Sequence, residues 1–232
     1  AISYFIAAGA SLRLHNFSKP VSMLVHASNR IDDHNTLYSA ITKWLLESKD
    51  EVIRFVERVW NEQKRKIETD SFSSNILIDE RRTLKLHDYI EIEQEVNRIL
   101  QEIGPIITNE EDLLSYHNGI HMILEHSQAT RDADEVYRLF YPDKVEDLRK
   151  TPLFLVIGGT SVSRGITLEG LISTYFIRNS SAADTLSQMG RWFGYRINYE
   201  LYPRIWMTRK AIENFRYIST LEEQLREEII QL

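Results

Sequence analysis

With 232 residues, 43% of them hydrophobic, the chain has material for one ordinary domain, or for one domain carrying a helical insertion. Its net charge of −6 excludes an all-round basic coat for nucleic acid, and the lack of cysteine excludes disulfides and thiolate metal sites. The charge is uneven: from Thr151 to Lys210, seven basic residues stand against three acidic ones, so this window is +4 and the remainder −10.

Residues 1–13 predict a short amphipathic helix. No basic residue precedes its apolar part, so it is not a secretion signal, and the absence of an initiating Met reads as a piece cut from a longer protein. "VSMLVHAS" (21–28) predicts a buried strand. Leu37, Ile41, Trp44 and Leu45, then Val52, Phe55, Val56 and Val59, have helical spacing, and 62–87 reads as a polar connection. Ile92, Val96, Ile99 and Ile103 predict another helix, stopped by Gly104-Pro105. These helices form a mostly helical insertion around 35–115. The end of 117–127 predicts a strand, and the charged run that follows is expected to be half helical. "PLFLVIGG" (152–159) is apolar from end to end, as in a central parallel strand covered on both faces. "LISTYFIR" (171–178) and "RIWMT" (204–208) add two more strands, and 209–231 a helix whose apolar stripe from Phe215 to Ile229 reads as core. Strands alternating with helices predict an α/β layer fold with a mainly parallel sheet. No apolar run approaches the roughly 20 residues of a membrane span. No membrane partner is expected, and an intracellular, cytoplasmic setting is.

In "VIGGTSVSRGITLEG" (156–170) a strand runs into Gly158-Gly159, hydroxyl residues and then Arg164-Gly165. Ligands of open α/β sheets sit just beyond the carboxyl ends of strands. The loop is no GxxxxGK[ST] phosphate loop, because Arg164 precedes the second glycine and no Lys follows it. Nor is it a nucleophile elbow, since Ser163 stands where G-x-S-x-G needs its last glycine. What remains is an arginine that contacts a phosphate or a neighbouring lobe, or a tight turn with a solvated arginine. Further on, "SQMGRWFGYR" (187–196) sets two arginines and three aromatics around two glycines.

The order of strand, "TSVSRGITL", strand, and helix bearing "QMGRWFGYR" resembles motifs V and VI in the second RecA-like lobe of superfamily-two helicases, of P-loop NTPase type. "SMLVHAS", "VIGGTSVSRGITLEGL", "YFIR" and "DTLSQMGRWFGYR" resemble more closely the Z1 domain of bacterial endonuclease-type and restriction-type proteins, over the whole of 1–232. The resemblance implies ATP with Mg²⁺, shared with a first RecA-like lobe that carries the phosphate loop, and DNA as the partner. It implies that Arg191 and Arg196 reach the γ-phosphate, where a planar, permanently charged guanidinium binds phosphate oxygens in pairs. Trp192, Phe193 and Tyr195 would anchor the helix that delivers them. Gly159, Arg164, Gly165, Thr167 and Gln188 would form the nucleotide-sensing set. The spacing departs from the helicase pattern: four residues separate the two arginines instead of two, and one residue separates Gln188 from Gly190. Which arginine acts as the finger is therefore open, with Arg196 slightly preferred.

"NILIDE" (75–80) imitates a magnesium-binding strand but lies where a first-lobe element cannot be. His117, His121 and His126 with Glu125 form no recognisable ligand set, and no metal site is assigned. Two other classes stay open. One is a RecA-like module binding DNA or a partner without an ATP cycle, and the other a nuclease with a metal site assembled from scattered Asp, Glu and His.

Overall fold

The structure is a computed structural model that describes residues 1–69, 82–126, 128, 131–132, 134–159, 166–177 and 197–230. Helix α1 is Ile2–Leu14, strand β1 Val21–His26, α2 Ile31–Glu47, α3 Lys49–Thr69 and α4 Tyr89–Ile99. The short strands β2 Ile103–Gly104, β3 Ile106–Thr108 and β4 Leu114–Ser115 lead to β5 Ile120–Glu125. Then come β6 Arg131–Asp132, β7 Glu135–Val136, α5 Val145–Leu148 and β8 Leu153–Gly158. The last elements are β9 Leu171–Phe176, β10 Arg204–Met207 and α6 Arg209–Ile230.

Six strands form one wholly parallel sheet in the order β10-β9-β1-β8-β5-β2. This agrees with the expected α/β class. From β1 the chain passes through three helices towards β5, on one side; from β8 it crosses β1 to reach β9, on the other. The neighbouring carboxyl ends of β1 and β8 thus mark the switch point of the sheet, where open α/β folds form a crevice.

Alternate side chains along each strand face opposite layers. Met23, Val25, Leu155 and Ile157 pack under α1, α3 and α4 with Tyr4, Phe5, Trp60 and Ile92. Leu24, Phe154 and Val156 pack on the other face with Ile106, Val136 and Ala211. Every residue of β1, β5 and β8 is buried, which is why these strands read as continuous apolar runs. Gly170 lets β9 begin beside β1: its φ is +55°, and a Cβ there would lie 1.9 Å from the Pro20 carbonyl oxygen.

Several local expectations are corrected. Helix α1 is buried on every side from Ser3 to Leu12 and so is not amphipathic, because sheet, α3 and α4 surround it. Helix α3 continues to Thr69, well into the supposed polar connection. Its core positions Val52, Val56 and Trp60 recur every fourth residue, and a Lys64–Glu68 pair at 2.8 Å supports its exposed end. Ile103 leaves the helical row and pairs with Ile120 as part of β2. Among the described residues the charged run after β5 is helical only at Val145–Leu148, since Glu135–Val136 joins an antiparallel sheet of order β4-β3-β7-β6 that the sequence did not signal. On α6 only Ala211 is buried, while Tyr217, Leu225 and Ile229 are exposed, so most of the stripe is not core. "NILIDE" lies outside the described residues. Among the described residues no helix is long and apolar enough to cross a membrane.

Candidate functional site

Gly159 follows the carboxyl end of β8, at the switch point. It is packed so tightly that an added Cβ would lie 3.1 Å from His34 Cε1, 3.2 Å from the Ser28 carbonyl oxygen and 3.3 Å from Asn29 Oδ1. The loop between β1 and α2 therefore closes directly over the glycine turn. Thr167 is exposed and precedes β9, whose first residue Leu171 pairs with Ser22 near the start of β1. The two described members of the predicted set thus stand at opposite strand ends. Arg164, Gly165, Gln188, Arg191 and Arg196 lie outside the described residues, as do Trp192, Phe193 and Tyr195.

Around Gly159 the structure gathers residues that spacing alone did not single out. His26, the last residue of β1, has Nδ1 at 2.8 Å from the Gly158 carbonyl oxygen, and its ring stacks on Phe176 at 5.4 Å. The Ser28 hydroxyl donates to Asp33 Oδ2 at 2.6 Å and accepts from the Arg30 amide at 3.1 Å, which fixes the entry into α2. The buried carboxylate of Glu125 accepts from Arg138 Nη2 at 3.3 Å and from the Leu139 amide at 3.2 Å.

His34 and His126 stack across the same edge, with centroids 6.0 Å apart and planes at 21°. Their outer contacts fix their neutral tautomers. His34 Nε2 lies 2.8 Å from the Ser28 carbonyl oxygen, which can only accept, so Nε2 carries the proton and Nδ1 a bare lone pair. His126 Nδ1 accepts from the Gln128 amide at 3.2 Å, so the proton of its neutral ring sits on Nε2. Both remaining nitrogens, His34 Nδ1 and His126 Nε2, are buried without a partner among the described residues. One unfilled acceptor and one unfilled donor therefore face the switch point, a pairing that suits a hydroxyl. Burial, then neighbouring His34, lowers the His126 pKa against the opposing pull of Glu125, favouring the neutral form on which this pairing depends.

His117 and His121 play a structural part. Their rings stack at 4.0 Å, the His117 amide donates to His121 Nε2 at 3.1 Å, and His121 Nδ1 meets the Leu153 carbonyl oxygen at 3.0 Å. Among the described residues, no three His, Asp or Glu side chains are placed to hold a metal ion. His126 differs from His117 and His121 in keeping a buried ring nitrogen without a partner among the described residues. β1 ends on His26 and β5 is followed directly by His126, but no local spacing pairs His126 with His34.

The family model described as Z1 domain matches residues 1–232. The chain belongs to the Z1 domain family. No curated protein matches it, and no solved structure does. The Z1 domain here is thus an α/β unit with a parallel sheet whose switch point is framed by the β1–α2 loop, the end of β5 and the Gly158-Gly159 turn.

Proposed function

We propose that this Z1 domain is the second RecA-like lobe of an ATP-driven motor acting on DNA, within a bacterial restriction or defence protein. The observation that carries the reading is the position of Gly159 at the switch point of a parallel sheet, at the head of the loop resembling motif V. The chain has no GxxxxGK[ST], so a first lobe would supply the phosphate loop. ATP with Mg²⁺, when bound, supplies the phosphoryl bond whose hydrolysis drives the motor. Arg191 and Arg196 neutralise charge that grows on the phosphate oxygens, and Arg164 senses the nucleotide and couples it to DNA, whereas Thr167, at the strand end opposite Gly159, stands apart from this set. The described residues fit such a ligand at one point, the unfilled donor and acceptor of His126 and His34, which suit a sugar or strand hydroxyl. The guanidinium groups that would meet phosphate lie outside the described residues.

The test is steady-state hydrolysis by the domain combined with its phosphate-loop lobe. Arg191→Ala or Arg196→Ala should slow turnover by about 10³ with nucleotide affinity little changed. Unchanged turnover in both variants refutes the proposal. So does appreciable hydrolysis by this chain alone that Arg191→Ala abolishes.

A further inference from the structure

Helix α6 leaves the domain part-way along its length. Up to Ile218 one of its faces is covered: Ala211 is buried, and Phe215 and Ile218 pack half-buried on the cluster that holds Leu24 and Phe154. From Leu221 to Ile230 every residue is exposed. Leu221, Leu225 and Ile229 nevertheless continue the covered face, following Ile218 at steps of three, four and four, and they are 38%, 56% and 68% exposed. Glu223 and Glu227 fall on the opposite side, so the free half of the helix has one apolar face and one charged face. A helical end of this length is marginal in water on its own backbone hydrogen bonds, and packing of an apolar face is what ordinarily sustains one.

The shape of the free face restricts what can cover it. The row from Ile218 to Ile229 is about 17 Å long and one side chain wide, which suits a single helix bearing a similar row. Its upstream end is closed, because the same face of α6 already rests on its own domain there. A second helix running parallel would bring its own domain to that end, into the space the first domain fills. A second helix running antiparallel carries its domain to the far end, and both rows are then covered over the free length alone.

The charges favour the same arrangement between identical chains. Glu222 and Arg226 lie one turn apart along one flank of the row. A two-fold axis across the row sets like flank beside like flank and reverses the order of the charges, so each Arg226 comes beside the Glu222 of the other copy.

We propose that the free half of α6 is a docking surface for a second copy of this chain, bound antiparallel. Ile218 packs against the partner's Ile229 and Leu221 against the partner's Leu225, each contact made twice by symmetry, with two Arg226–Glu222 pairs on the flank. The seam is narrow, so the dimer is a reversible one with a dissociation constant on the order of tens of micromolar. The inference is independent of the motor reading, because it uses none of the residues assigned there.

The experiment is sedimentation equilibrium of the purified chain from about 1 µM to about 1 mM, a range that brackets this constant. A monomer–dimer equilibrium is expected. Leu225→Asp should raise the dissociation constant by about tenfold or more. It should leave the melting temperature at low concentration unchanged, because Leu225 is exposed in the single chain. Arg226→Glu should weaken association about threefold to tenfold, and adding Glu222→Arg should restore it, since the two charges are then exchanged but still opposed. A chain that stays monomeric throughout the range overturns the proposal. So does a dimer indifferent to Leu225→Asp, or a double variant that fails to recover the association lost in Arg226→Glu.

Discussion

Gly159 and His34 meet so closely that a methyl group on the glycine would stand 3.1 Å from the His34 ring. Neither side can give freely. The ring is tied to the Ser28 carbonyl oxygen, which is itself 3.2 Å from the same point. Gly159→Ala should therefore cost about 1–3 kcal/mol through overpacking. Urea unfolding of the two proteins checks this, and an unchanged midpoint would show that the β1–α2 loop yields.

Acid should unfold the domain through His121. Burial, the largest cause, and neighbouring His117 push its pKa from 6.5 down to about 3, and both ring nitrogens are engaged in the neutral form. The unfolded chain then binds the proton more readily, so stability is lost as pH falls below 6.5 towards the folded value. The loss from this one group at pH 5 is about 2 kcal/mol. Burial lowers His87, His117 and His126 as well, which adds to the slope in the same direction. Measuring unfolding free energy from pH 7 to 5 should show the decline, and His121→Gln should flatten it by about one proton.

The phenol of Tyr202 is a junction. It donates to the Lys85 carbonyl oxygen at 2.7 Å and shares a hydrogen bond of 2.8 Å with the Ser11 hydroxyl, fully buried. Tyr202→Phe keeps the ring and removes both bonds, while Ser11 retains His87 and the Lys85 carbonyl retains His15, so the cost is about 0.5–1.5 kcal/mol. Thermal unfolding reads the result, and a loss well under this range would mean that water replaces the phenol.

Gly170→Ala should be among the most damaging single-methyl changes. The residue has φ +55°, and the new Cβ would collide with the Pro20 backbone carbonyl at 1.9 Å, an atom no side-chain rotation can move. A cost of about 3 kcal/mol or more is expected, measured by denaturant titration. Near-normal stability would show that β9 can start elsewhere along β1.

The sequence was most informative where burial leaves a simple pattern. "SMLVHAS", "PLFLVIGG" and "LISTYFIR" became β1, β8 and β9 because strands covered on both faces lose their polar alternation. Short elements were illegible for the opposite reason. Ile103–Gly104 is a strand because Ile120–His121, beyond two intervening strands, pairs with it, and Glu135–Val136 because it pairs with both Arg131–Asp132 and the distant Ile106–Ile107. On α6, hydrophobic spacing signalled a helix correctly but could not say whether its apolar side is covered. At the switch point, Gly159 was found from its place after a central strand, whereas His34 and His126 are brought together because β1 and β5 flank β8 on either side, which no local spacing reveals.

The Tyr4 hydroxyl also donates to the Tyr202 backbone carbonyl, at 2.6 Å, so the first helix and the approach to the last strand are stitched together twice. Tyr202 comes six positions after Arg196 in the sequence, and at Tyr202 the chain is moored to the first helix. Genetic suppressors of damage near Arg196 would then be sought at Tyr4 and Ser11, nearly two hundred residues away along the chain.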